Sequence, residues 1–266
     1  MIIIGERINS SRKAISQAVE QRDTLSLAKE MKDQVAAGAN MIDLNVGTFL
    51  DQESCLMEWL IDLALNTVAV PLSIDSPRAE TVELALKRSQ SRMVVNSITA
   101  ETERLATHLP LIQTYHPAVI ALCMDDGGLS NDPLLRCEIG LRLSGILAGS
   151  GLPEEDIYID PLVQPLSCGA AGVKTCLETI RLLRSRAPRM RIICGLSNIS
   201  YGLPGRNLIN ESFLSMAVLA GLDAVILNPL DTHLMSTLRA AEALAGHDEY
   251  CLGYISAYRA GRLACP

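Results

Sequence analysis

The chain has 266 residues and a formal net charge of −7, enough to bury a large core without disulfides or metals and an ordinary size for one α/β barrel. No basic tract interleaves with aromatic residues, which speaks against a nucleic-acid surface. No apolar run is long enough to span a bilayer.

The N-terminal MIIIGERIN lacks the charged region and long apolar stretch of a secretory signal. It reads as a first strand over residues 2–5. Short β-branched runs follow at 41–45, 72–75, 93–97, 119–123, 157–160, 191–195 and 224–227. Between and after them lie stretches of helical period at 23–37, 52–66, 77–88, 101–114, 133–148, 172–186, 208–219 and 231–244. Eight βα units, with no Gly-rich phosphate fingerprint after the first strand, predict an α/β fold. The expected form is a single (βα)8 TIM barrel over residues 1–266, rather than an open doubly wound sheet. Ser76-Pro77 and Asp132-Pro133 each place an N-cap candidate before a proline at the first helical position. Aromatics make up 3% of the chain, so the core has to be built from Ile, Leu, Val, Ala and Met, as suits the layered interior of a parallel barrel.

The eight cysteines are Cys55, Cys123, Cys137, Cys168, Cys176, Cys194, Cys251 and Cys265. No two have CxxC spacing. The four histidines, His108, His116, His233 and His247, form no HxH or HExxH pattern. The expectation is reduced, mostly buried thiols in a cytoplasmic protein with no bound metal.

In such a barrel the site forms at the carboxyl ends of the strands. Six of the eight predicted ends offer Asp, Asn or Glu. They read Gly5-Glu6-Arg7-Ile8-Asn9, Asp43-Leu44-Asn45, Ile74-Asp75, Val95-Asn96, Ile159-Asp160 and Gly195-Leu196-Ser197-Asn198. Each alone is most simply a cap or turn residue. Together they would converge on one cavity. No Lys stands at a strand end, which disfavours Schiff-base chemistry. No cluster of Lys and Arg marks a phosphate site, although Arg206 after the seventh strand could meet an anion. A flat heterocycle with adjacent N–H donors fits best, because a carboxylate can accept two such bonds at once.

The ordered motifs GERIN, DLNVG, SIDS, VVNS, YIDPL and GLSNIS, with MEWL at 57–60 and GLDA at 221–224, resemble the pterin-dependent methyltransferases. The likeness is strongest to the methyltetrahydrofolate:corrinoid iron–sulfur protein methyltransferases. It implies that Asp75, Asn96 and Asp160 anchor the pterin, that Asn198 bonds near N5 of the folate, and that Arg206 lies beside the ligand. Gly195, Ser197 and Tyr201 fall in the same binding region. Asn9, Asp43 and Asn45 lie in family motifs and are either ligand contacts or braces of the barrel mouth. Tyr201 stands where a smaller polar residue is expected. The loop Met124-Asp125-Asp126-Gly127-Gly128 is more acidic than expected. Both differences could bear on substrate or partner choice.

The resemblance implies methyl transfer between N5 of tetrahydrofolate or methyltetrahydrofolate and a corrinoid (cobalamin). The net direction stays open. With no room for a second domain, the corrinoid is expected on a separate corrinoid protein, and a homodimer is expected from the resemblance alone. A dihydropteroate synthase-like enzyme is the nearest rival. It would need a basic Ser-Arg-Lys-type motif late in the chain, where this sequence reads GLSNISYGLPGR. A non-catalytic folate-binding protein would not need Asn198. A metal-dependent barrel hydrolase would want paired histidines at strand ends.

Overall fold

The computed structural model describes residues 1–88 and 92–264. Eight strands pair in parallel and in sequence order into a closed barrel, the last returning to the first. They are β1 (Ile2–Asn9), β2 (Met41–Asn45), β3 (Leu72–Asp75), β4 (Val94–Ala100), β5 (Ala118–Asp125), β6 (Ile157–Asp160), β7 (Arg191–Gly195) and β8 (Ala224–Leu227). The helices that cover them are α1 (Lys13–Glu20), α2 (Thr24–Ala36), α3 (Glu53–Leu65), α4 (Ala79–Arg88), α5 (Thr102–Tyr115), α6 (Pro133–Gly149), α7 (Ala171–Arg186), α8 (Arg206–Ala220), α9 (Thr232–Leu244) and α10 (Leu252–Arg259). The expected TIM barrel is the observed fold.

The alternation of each strand divides the apolar residues into two cores. Ile4, Val94, Ala118, Ile120, Tyr158, Ile193 and Ala224 form one cluster. They point inward and fill the barrel. Its one aromatic, Tyr158, is fully buried, and its hydroxyl oxygen accepts from Arg191 Nη1 at 2.5 Å. A larger cluster lies between barrel and helices, where α3 buries Leu56, Met57, Leu60, Ile61 and Ala64. Each fully buried Leu or Met side chain contributes about 1.5–3 kcal/mol. Truncating one such residue, as in Leu60→Ala, is expected to cost about 2–5 kcal/mol.

Five strands have the predicted bounds, but β1, β4 and β5 are longer. Gly5 and Ile8 of β1 face Ile42 and Leu44 of β2, so β1 carries an extra residue there. Asn96 and Ile98 of β4 face the adjacent Ile120 and Ala121 of β5, a second irregularity. Such bulges bend a strand and re-aim its side chains. Both occur at carboxyl ends, where Glu6 and Asn96 stand.

Asp132 caps α6 as predicted, accepting from Leu134 N at 2.9 Å. Ser76 does not cap α4, which starts at Ala79. Its Oγ instead accepts from Arg78 N and donates to the buried Glu53. Among the described cysteines, Cys123, Cys137, Cys176 and Cys194 are buried, whereas Cys55, Cys168 and Cys251 are exposed, and all are free. Cys265 lies outside the described residues. Among the described residues no helix is long and apolar enough to cross a membrane.

Candidate functional site

The carboxyl ends of β2, β3 and β4 are tied into one polar network. Register sets Asp43 beside Ser73 and Asp75 beside Asn96. Asp43 is buried, and its Oδ1 accepts from Ser73 Oγ at 2.6 Å and from Asn96 Nδ2 at 3.1 Å. Asn45 donates from Nδ2 to Asp75 Oδ2 at 2.7 Å and accepts the Gly47 N–H at 3.1 Å. Burial pushes Asp43 well above the usual carboxylate range, and the charge of Asp75 adds to the shift. Burial also raises Asp75, while the Asn45 hydrogen bond opposes the rise.

Asp160 closes β6 and is buried. Its Oδ1 accepts from Leu162 N at 2.7 Å. Burial pushes its pKa up to about 7, against the Leu162 hydrogen bond, the charge of Arg136 and the Gly195 N–H. These groups favour the charged form but do not offset the loss of solvent.

Strands β7, β8 and β1 border an open cleft of about 500 Å³. Glu6, Asn9, Ser197, Asn198, Tyr201, Arg206 and Asn228 are among its lining residues. Asn198 is exposed, and its side-chain amide has no protein hydrogen-bond partner among the described residues. It rests against Gly195, where an added Cβ would come within 3.2 Å of Asn198 Nδ2. Ser197 Oγ lies 2.5 and 2.6 Å from the two carboxylate oxygens of Glu6. Burial raises the Glu6 pKa, while Ser197 and the charges of Arg206, Arg12 and Arg7 pull it down.

The predicted residues thus fall into two groups around one mouth. Asp75, Asn96 and Asp160 do not line the cleft that contains Asn198; they stand on the β3–β6 side. Asp43 and Asn45 are both engaged with protein partners, as braces of the mouth would be. Asn9 lines the cleft and also accepts the Ser11 N–H at 2.9 Å. Arg206 belongs to the first turn of α8, not to a free loop. Its Nε donates to Ser200 Oγ at 2.9 Å and its Nη2 to Ser197 O at 2.8 Å, so it staples the β7–α8 segment. Tyr201 is 68% exposed at the rim of the cleft. The acidic loop is engaged within the protein: Asp125 pairs with Arg142, and Asp126 accepts from the Thr102 N–H and hydroxyl. Its acidity is explained by holding α5 and α6.

Glu6 is read in the sequence as a polar strand-end residue but is given no role there, and the cleft residue Asn228 is not singled out at all. Asn228 directly follows the apolar run of β8, so the strand-end rule used for the other strands applies to it too. Among the described residues no group of three or more His, Cys, Asp and Glu side chains is placed to hold a metal ion.

Comparison with known proteins places this mouth in a family. The pterin binding enzyme family matches residues 5–228. The methylcorrinoid:tetrahydrofolate methyltransferase of Eubacterium limosum is 31% identical over 99% of this chain and 98% of its own length. Methionine synthase of Mycobacterium tuberculosis is 30% identical over 86% of this chain, which corresponds to 20% of that longer protein. Among solved structures, Yersinia pestis dihydropteroate synthase with a pterin–sulfa conjugate superposes with a TM-score of 0.67 at 14% identity, over 94% of each chain. The Coxiella burnetii dihydropteroate synthase in complex with pteroic acid gives 0.66 at 15% identity over 92% of each chain. These two structures share the fold. By the family match across most of its length and by a full-length relative, the chain belongs to the pterin binding enzymes.

Proposed function

We propose that this protein transfers a methyl group between N5 of tetrahydrofolate and the cobalt of a corrinoid carried on a separate protein. The observation that carries the reading is one mouth holding both an arc of strand-end acceptors, the buried Asp160 with the half-buried Asp75 and Asn96, and an unengaged amide, Asn198, in an open cleft.

The chemistry follows from those atoms. A pterin presents its 2-amino group and N3–H as adjacent donors. Buried donors need matched acceptors, since each unpaired one costs about 1–3 kcal/mol. Asp160 and Asp75 are carboxylates at strand ends. Asn96 already donates to Asp43, which leaves its carbonyl oxygen to accept. The pterin held there directs N5 toward Asn198.

The corrinoid supplies the metal that exchanges the methyl group with N5. A tertiary amine is a poor leaving group, so methyl loss from N5 needs a proton there. Asn198 has no acidic proton to give. It accepts a hydrogen bond from protonated N5 or orients a water beside it. Glu6 lines the same cleft, and its burial favours the protonated carboxyl. One site serves both directions. The likeness to a methylcorrinoid:tetrahydrofolate methyltransferase favours methyltetrahydrofolate as product. The corrinoid protein docks at the open cleft side, where Tyr201 is exposed. A homodimer belongs to the same reading.

A dihydropteroate synthase-like reaction is less favoured. The segment GLSNISYGLPGR contains no Lys, and Arg206 is occupied by Ser197 and Ser200. The test is spectroscopic. Protein is mixed with methyltetrahydrofolate and reduced cobalamin, or with methylcobalamin and tetrahydrofolate, and the cobalt spectrum is followed. Acceleration in either direction supports the reading. Folate binding with no transfer, even with genuine corrinoid proteins, leaves a binding protein and refutes it.

A further inference from the structure

Arg136 has no part in the scheme above, yet it is fully buried. It lies in the first turn of α6. A buried guanidinium is costly unless its donors are satisfied. Its Nε donates to Ser130 O at 2.6 Å, and its Nη1 donates to both Pro161 O and Leu162 O at 2.8 Å, while its buried Nη2 has no partner among the described residues. Two of those three acceptors belong to the turn that directly follows Asp160.

That turn has an unusual backbone. Leu162 has a φ of 64°, the left-handed region that a branched side chain seldom adopts. In this conformation the Leu162 N–H meets Asp160 Oδ1 at 2.7 Å. The links run from one side chain to the next: guanidinium to two carbonyls, the held turn to an N–H, the N–H to the carboxylate. Lysine could not reproduce them, because it lacks the planar fork of donors.

We propose that Arg136 is the positioning residue of Asp160, fixing the 161–162 turn and supplying the positive charge that keeps this carboxylate ready to accept the pterin's donors. The proposal rests on the reading of Asp160 as a pterin anchor. It acts at one remove, since no direct ion pair joins the two side chains. The other titratable groups around Asp160 are thiols: Cys123 on β5, Cys194 on β7, and Cys176 on α7, with Cys137 beside Cys123 on α6. Burial raises all four thiols, so they stay neutral and add no charge. Arg136 is the charged group that opposes the desolvation of Asp160.

The test uses two readouts on the full chain. Tetrahydrofolate affinity is measured from pH 5.5 to 9 for wild type, Arg136→Met, Arg136→Lys and Asp160→Asn. The Asp160 carboxyl carbon is titrated by NMR in the ligand-free proteins, its signal assigned by its loss in Asp160→Asn. Arg136→Met is expected to raise the Asp160 midpoint by about one pH unit and to weaken binding at pH 7 about tenfold, with the loss shrinking at pH 9. Arg136→Lys keeps the charge but loses carbonyl contacts, so it leaves the midpoint in place and weakens binding a few-fold at every pH. If Arg136→Met does not fold, unchanged affinity in Arg136→Lys overturns the positioning role. A pH-independent loss in Arg136→Met with an unmoved midpoint also overturns the proposal. If wild type binds no tetrahydrofolate at any pH, the pterin reading fails by itself, while the carboxyl titration still decides whether Arg136 governs Asp160.

Discussion

From β2 round to β6 the barrel mouth is a closed polar surface. Asp43 and Asp160 are buried there and Asp75 is half-buried, and neighbouring strand ends supply partners, as with Asp43 between Ser73 and Asn96. From β7 through β8 to β1 the mouth is open, and Asn198, Tyr201 and Arg206 are exposed. A group that must recognise a fixed pattern of donors benefits from being held and desolvated before the ligand arrives. A group that must meet a reacting atom and a visiting protein has to be reachable. Under the proposed function, the difference amounts to a division of labour, with the closed side binding the pterin and the open side transferring the methyl group.

The largest test of that division is Asn198→Ala. It is expected to lower the methyl-transfer rate by about 10²–10³-fold, by analogy with the loss of one preorganised hydrogen-bonding group, while tetrahydrofolate affinity changes no more than a few-fold. Equal, small changes in both would erase the distinction between the two sides. Asp160→Asn tests the closed side. The amide places a donor against the pterin's own donors, so affinity is expected to fall about 10–100-fold, with the rate at saturation nearly kept. Calorimetric titration measures the first quantity and single-turnover kinetics the second.

A smaller effect concerns pH. Asp160 titrates near 7 in the folded chain, against an ordinary value of 3.8. Between these values the native state holds more protons than the unfolded one. Stability therefore falls as pH rises, with the loss completed above the folded pKa. Over pH 6 to 8 this group removes about 1.4 kcal/mol from the ligand-free protein. Asp160→Asn should flatten that slope in urea melts, and a slope unchanged by the mutation would contradict the assignment. Ligand binding runs the other way: pterin donors favour the charged carboxylate, so affinity rises with pH through about 7. Asn45→Ala is expected to have the smallest effect. It removes one hydrogen bond from Asp75, which should weaken folate binding about 3–10-fold. No change would show that Asp75 needs no brace.

The barrel itself is legible in the sequence because β-branched runs and helical periods alternate eight times. What escapes is set by register. The bulges in β1 and β4 leave no compositional mark, so the sequence reading ends β1 at Gly5 and lists Glu6 as a strand-end residue without a role in the cleft. The helix α1 buries Ile15, Ala18 and Val19 at helical spacing, but its eight residues are too few for the period to stand out. In α10 only Ala257 is buried, and no pattern exists to read. Asp75, Asn96 and Asp160 are visible because polar residues end apolar runs. The hydrogen bonds of Asp43 and Asn45 depend on which strand-end residues are laterally paired, which the sequence does not display. Arg136 is hidden for the opposite reason: an arginine on a helix ordinarily reads as a solvated residue.

The most direct measurement determines tetrahydrofolate affinity and single-turnover methyl transfer together, with cobalamin as the corrinoid, for wild type, Asn198→Ala and Asp160→Asn. The account predicts that Asn198→Ala binds nearly as wild type but transfers poorly, and that Asp160→Asn binds poorly but transfers nearly as wild type once saturated. Loss of both quantities in parallel in each variant, or transfer by Asn198→Ala at the wild-type rate, would contradict it.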